Sequence, residues 1–318
     1  MGTTTVNAGS RFVTVSRPDK VLFPRDGITK LDLAEYYATV GPAMLPHLAG
    51  RPLAAERYPD GLTGEHFLQK RAASGTPGWV TTATVDKQGG RLRQIVCDDV
   101  ATLVWLADQA CITPHVWLSR TDRPRHPDQL IFDLDPGEGG FASARRAALR
   151  LRGVLDELGL PSHARTTGGR GIHVLVPLDR AADFAAVRAF ARSIADLLAR
   201  RDPQHLTTAV RKQRRRGRLL IDVMRNAYAQ HVAAPYAVRA RDGAPVAVPL
   251  HWSEVESRSL GPEAFGMKAA VERLRDSRDP WGAMPGLSLV EPGRRLETMT
   301  LTDAGRHSAQ ERETKPLV

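Results

Sequence analysis

The stretch Ile131-Phe132-Asp133-Leu134-Asp135-Pro136-Gly137, inside the run DQLIFDLDPG, constrains this chain more than any other segment. An apolar run closed by a Pro-Gly breaker predicts a short buried strand. Side chains alternate across a strand, so Asp133 and Asp135 share one face and Leu134 takes the other. Two carboxylates on one face repel each other unless a cation lies between them. Oxygen donors suit hard divalent ions, which points to Mg²⁺ or Mn²⁺. The plainer alternative is a pair of turn or capping aspartates ahead of a helix starting near Phe141.

Charge adds a second constraint. The net charge is +10 and the pI about 10.1, with arginine supplying most of the excess. Arginine suits bidentate contact with phosphate, so a polyanionic partner is expected. A merely Arg-rich composition is the competing explanation. No apolar stretch approaches the roughly 20 residues that span a bilayer, and the N-terminus lacks the pattern of a secretory signal. Cys97 and Cys111 are the only cysteines, which excludes a disulfide framework or a Cys-rich zinc site. The expectation is a reduced, cytoplasmic protein associated with the nucleoid, with no membrane partner.

Periodicity and turn signals predict a mixed chain. Residues 1–11 read as a flexible lead. Thr29 caps a helix from Lys30 to about Leu48, and Arg51–Arg57 reads as a strand. Two antiparallel strands flank the Gln88-Gly89-Gly90 turn. A helix follows from Asp98 or Asp99 to about Ala110, then a strand over Ile112–Leu118. Beyond the central strand come a helix over Phe141–Leu158, strands near His163–Thr166 and Ile172–Pro177, a helix over Ala181–Arg200, and a strand at Leu219–Met224. Residues 262–276 read as helical, and 291–318 as a polar tail. This pattern predicts an α/β (α+β) fold. A smaller, basic N-terminal lobe occupies about 12–125, and a catalytic lobe with mixed and antiparallel sheets flanked by helices occupies about 126–290.

Three further constellations carry chemistry. Thr166-Thr167-Gly168-Gly169-Arg170-Gly171-Ile172-His173 combines a glycine turn, whose N–H groups approach a phosphate closely, with Thr167, Arg170 and His173 as polar partners. An ordinary hairpin with an exposed Arg is the alternative. Leu219-Leu220-Ile221-Asp222 is another apolar strand ending in a carboxylate, and Asp222 is expected to join Asp133 and Asp135 across neighbouring strands. Three carboxylates suffice for two metals bridged by a phosphate. In the run 211–218 six of eight residues are basic, Lys212 and Arg215 among them, as on a solvated face or a nucleic-acid patch.

Together FDLDPGEG, TTGGRGIHVLVPL and IDVMRN…APYAVRARDGAPVAVPLHW resemble the polymerase domain of bacterial ligase D, of the archaeo-eukaryotic primase superfamily. The likeness spans roughly residues 12–275. It implies a primase-like catalytic core and, at this length, a stand-alone primase-polymerase. It implies that Asp133, Asp135 and Asp222 are the catalytic carboxylates and hold two Mn²⁺ or Mg²⁺ ions. By the same resemblance His115, Thr167, Gly168, Arg170, His173, Arg225 and Arg239 bind the nucleotide. Lys20 and Lys30 hold a 5′-phosphate at a DNA gap or end, and Arg57 and Phe67 grip the template. Implied substrates are NTPs and dNTPs with a ribonucleotide preference, and implied partners are Ku and a DNA ligase in non-homologous end joining. The chain departs from the family at Thr167 (usually Ser), at Arg170 (usually Lys) and at Phe67-Leu68 (usually two aromatics). The loop between His115 and Asp133 is short.

Two rivals remain at this point. A haloacid-dehalogenase-like phosphatase also ends an apolar strand in D-x-D, but Pro136-Gly137 and the mid-chain position speak against it. A DNA-end-binding module whose catalysis has decayed would need only the basic charge with Lys20 and Lys30, and the intact carboxylates speak against that.

Overall fold

The computed structural model describes residues 2–313 apart from 263, 277, 278, 283 and 284, with the backbone alone for 304–313. Two six-stranded sheets form its frame. The second sheet runs in the order Leu206–Thr207, Leu219–Asp222, Gln129–Asp135, Ile172–Pro177, His163–Thr166, Pro249–Leu250. Its pairs are antiparallel except that between Leu206–Thr207 and Leu219–Asp222.

Residue parity sets the faces of this sheet. Leu130, Phe132, Leu134, Ile172, Val174, Leu219 and Ile221 join one apolar core with the helices Gly140–Glu157 and Phe184–Arg201. The alternate residues, Asp133, His173 and Asp222 among them, must face away from that core. At the turn after Asp135 the chain passes so close to residue 217 that a Cβ on Gly137 would lie 2.1 Å from the Gly217 carbonyl oxygen. Glycine is needed there for space.

The first sheet carries Val232–Ala233, Cys111–Val116, Pro52–Arg57, Gly90–Val96 and Thr82–Lys87, with Phe67–Gln69 also paired to Pro52–Arg57. Helices Lys30–Leu48 and Val100–Asp108 complete its core. Thr29 and Asp32 form a reciprocal capping box at the start of the first helix.

The lobes are interleaved rather than consecutive. After residue 231 the chain returns to the first lobe, where Ala234, Tyr236, Val238, Val246, Val248 and Ala270 enter its core. The Val238 N–H donates to the Tyr37 hydroxyl (3.1 Å), and its carbonyl accepts from Thr113 Oγ1 (2.7 Å). Eight residues on, the Val246 carbonyl accepts from Thr166 Oγ1 (3.0 Å), and the Val248 N–H donates to the same oxygen (2.9 Å), in the second lobe. Arg51, 1% exposed, bridges the lobes as well, with both terminal nitrogens 2.7 Å from Asp128.

Both ends differ from expectation. Residues 1–11 are not a free lead, because Thr3–Asn7 pairs antiparallel with Phe12–Ser16 and buries Val6. Its β-branched run favours a strand once a partner is present. The expected tail after residue 290 is the helix Val290–Glu313; residues 314–318 lie outside the described ones. Leu296 and Met299, one turn apart, dock it on the second core, and Arg201 pairs with Asp303 at 2.6 Å. Among the described residues no helix is long and apolar enough to cross a membrane.

Candidate active site

The residues left facing away from the second core line a cleft of about 750 Å³. Across four strands, register places Arg165 opposite His173, His173 opposite Asp133, and Asp133 opposite Asp222. Directly opposed residues of an antiparallel pair project on the same face, with Cβ atoms about 5 Å apart. Asp135 lies two residues beyond Asp133 on that face, where Arg215 holds it at 2.9 Å. Asp222 accepts from the backbone N–H of Met224 (2.7 Å). The Asp133 carboxylate lies 3.4 Å from His173 Nε2. Burial pushes the Asp133 pKa up, but His173, Arg225 and Arg165 outweigh it, so the group stays ionised below the usual carboxylate range.

Among the described residues no three His, Cys, Asp or Glu side chains converge ready-made on one metal position. Asp135 is engaged by Arg215 and Asp222 by the Met224 N–H. Donor type and shared face nevertheless fit a divalent cation, because all three carboxylates line the same wall.

A tight loop over 167–171 forms the adjoining wall. The Gly171 N–H donates to Thr167 Oγ1 (3.2 Å), which closes the turn. Gly168 has φ +62°, and a Cβ there would lie 2.3 Å from Arg239 Cγ and 3.1 Å from the Val246 carbonyl carbon. We expect Gly168→Ala to displace Arg239 and to cost about 1–3 kcal/mol of stability through the left-handed backbone. Thermal unfolding checks the cost; an unchanged Tm would contradict this account. Arg170, Arg225, Arg239 and Arg241 line the cleft and make it cationic.

On the opposite wall Glu56 pairs with His115 Nε2 (2.9 Å) and accepts from the Tyr58 hydroxyl (2.9 Å). Burial favours its neutral form, but His115, Tyr58 and Arg239 outweigh this and bring its pKa down to about 2. Burial, with help from Arg239 and Arg225, lowers the His115 pKa despite Glu56, so this ring is neutral at physiological pH.

A family model described as LigD, primase-polymerase domain, matches residues 29–281. The chain belongs to the LigD primase-polymerase domain family. It is 34% identical over 263 residues to the multifunctional non-homologous end joining DNA repair protein LigD of Mycobacterium tuberculosis, covering 80% of this chain and 35% of that protein. The bifunctional non-homologous end joining protein LigD of Bacillus subtilis is 32% identical over 265 residues, 83% of this chain and 42% of that protein. The chain thus spans well under half the length of these two relatives. The polymerase domain of M. tuberculosis ligase D, solved in complex with DNA, matches with a TM-score of 0.81 and 32% identity over 86% of this chain and 97% of that one.

In this LigD-type domain Asp133, Asp135, Asp222, His115, Thr167, Gly168, Arg170, His173, Arg225 and Arg239 all line the one cleft. Phe67, 46% exposed, lies at the cleft with Leu68. Arg57 sits beneath the Phe67 ring, its Cζ 5.4 Å from the centroid, and donates to the Gln109 carbonyl and to Gln69. It supports the aromatic while several of its donors are engaged within the protein. Lys20 pairs with exposed Asp60 (2.8 Å) outside the cleft lining, and Lys212 is exposed on the short helix Lys212–Arg215.

Two expected DNA ligands are engaged within the protein. Lys30 is 2% exposed and donates to Ser16 Oγ, the Asp108 carbonyl and the Asp108 carboxylate, so its three hydrogens are used in the first core instead of meeting a 5′-phosphate. Arg215 lines the cleft, where it binds Asp135 and the Val210 carbonyl. Sequence reasoning also missed Glu56, Arg165 and Arg241. Glu56 carries no local signal. Arg165 does, because a five-residue turn over 167–171 places it opposite His173.

Proposed function

We propose that this chain is a template-directed nucleotidyltransferase that adds NTPs or dNTPs to a primer 3′-hydroxyl at gaps and breaks in DNA. The observation that carries this reading is the single row Arg165, His173, Asp133, Asp222 in register, with Asp135 beside it and a cationic glycine loop adjoining. A phosphoryl substrate needs both halves, carboxylates for cations and cations for phosphates. Bound at Asp133, Asp135 and Asp222, divalent ions supply Lewis-acid polarisation and a more acidic hydroxyl. The chain itself orients the substrate. Loop N–H groups and Arg170, Arg225 and Arg239 offset triphosphate charge, and His173 offers a ring N–H. Phe67 presents a π-face to a template base.

The relatives named for non-homologous end joining and the neighbour solved with DNA support the DNA substrate and a repair setting; Ku and a ligase as partners extend that reading. Manganese use and a ribonucleotide preference extend the same reading. The test is primer extension with Mn²⁺ on a 5′-phosphorylated gapped duplex. Extension supports the proposal. Free phosphate without extension favours a phosphatase, and binding without extension favours an end-binding module. Phe67→Ala should weaken template binding by about 1–3 kcal/mol, roughly five- to 150-fold, in fluorescence anisotropy with single-stranded DNA. Unchanged affinity would remove the ring from the interface.

A further inference from the structure

Arg165 lies in the strand His163–Thr166 and is 1% exposed. It is not among the residues lining the cleft, so it does not touch a bound substrate. Its Nε donates to His173 Nδ1 at 3.1 Å. A guanidinium only donates, so Nδ1 must be the acceptor, and a ring nitrogen that accepts carries no proton. The proton of neutral His173 is then on Nε2, the atom 3.4 Å from Asp133 Oδ1. Nothing about the histidine alone imposes that arrangement, because both tautomers of a neutral imidazole are accessible and a neighbour's hydrogen bond selects between them.

The position is an expensive one for a cation. Arg165 Nη1 is buried without a hydrogen-bond partner, and Arg239 is a like-charged neighbour. An apolar side chain of similar volume would fill the space without burying a charge. The return for that burial is the hydrogen bond to Nδ1.

We propose that Arg165 is a positioning residue that locks His173 in its Nε2–H tautomer, so that the cleft is presented with a hydrogen-bond donor in place of an acceptor. An acceptor there would repel the anionic oxygens of Asp133 and of a phosphate alike. The consequence for substrate rests on the nucleotidyltransferase reading; the tautomer itself does not.

Long-range ¹H–¹⁵N correlation on the full chain labelled in histidine reads the tautomer directly, with His173→Ala assigning the signal. The expected wild-type spectrum at neutral pH shows a protonated Nε2 and an unprotonated Nδ1. In Arg165→Met the two nitrogens should average toward a mixture. Arg165→Lys, whose ammonium can still donate to Nδ1, should restore most of the wild-type pattern. In primer extension Arg165→Met should raise KM for the nucleotide about tenfold with kcat changed less than about twofold, and Arg165→Lys should recover most of it, as expected for a lost binding contact. A wild-type His173 protonated on Nδ1 overturns the proposal, and so does a folded Arg165→Met with an unaltered tautomer. Because the wild-type spectrum decides the first point, a variant that fails to fold does not rescue the idea. A chain that extends no primer yet shows the Nε2–H tautomer defeats the polymerase reading and leaves this one standing.

Discussion

Replacing Asp133 and Asp135 together by alanine abolishes primer extension in our expectation, while DNA binding stays within a few-fold of wild type. The two carboxylates project from one face of the central strand and lie opposite or beside Asp222. With both removed, Asp222 alone remains, already engaged with the Met224 N–H. A divalent ion stabilises developing charge by several kcal/mol, and about 4 kcal/mol corresponds to roughly a thousandfold in rate. The fold should survive, because Leu130, Phe132 and Leu134 keep the strand in its core. The lost Arg215 pair is largely a surface interaction, worth about 0–1 kcal/mol. Gapped-duplex extension and anisotropy on the same preparation separate chemistry from binding. Extension by the double variant at wild-type rate would reject the site.

The largest effect on stability is expected at Asp128→Asn. Arg51 is buried, with its fork against Asp128, and its remaining donors meet the carbonyls of His47 and Trp117. The amide keeps the shape but strips the charge, leaving a buried guanidinium without its counter-ion. Breaking such a pair from one side costs about 3–5 kcal/mol. For a domain of this size that lowers Tm by about 10 °C. Burial pushes the Asp128 pKa up, but Arg51 and Arg120 bring it below its ordinary value. A carboxylate depressed in the folded state contributes stability above the unfolded pKa and loses it as pH falls through the folded one. The wild type should therefore lose this contribution below about pH 4, whereas Asp128→Asn should not. Equal melting temperatures for the two proteins at neutral pH would contradict this.

Much of the frame was legible because its signals are local. The Thr29 cap with Asp32, the glycine turn between the strands Thr82–Lys87 and Gly90–Val96, and the apolar runs ending at Asp133 and Asp222 each specify an element by themselves. What was missed depends on partners distant in sequence. Lys30 heads a helix, which reads as solvated; only the approach of Asp108, 78 residues away, buries it. Arg215 belongs to a basic run whose composition suggests a nucleic-acid face, yet Asp135, 80 residues away, claims it. Thr3–Asn7 is too short and polar to announce a strand without Phe12–Ser16 beside it.

The segment from Val238 to Val248 is fastened at one end to Tyr37 and Thr113 and at the other to Thr166. Arg239 is the residue after the first fastening, and Gly168 abuts its side chain from the other wall. Those hydrogen bonds act as a tether of fixed length across the mouth of the groove. Spreading the two lobes by more than a bond's reach would break the hydrogen bonds of the Tyr37, Thr113 and Thr166 hydroxyls to this segment's backbone. A bound ligand would therefore gain room through side chains swinging aside and not through the two halves hinging apart.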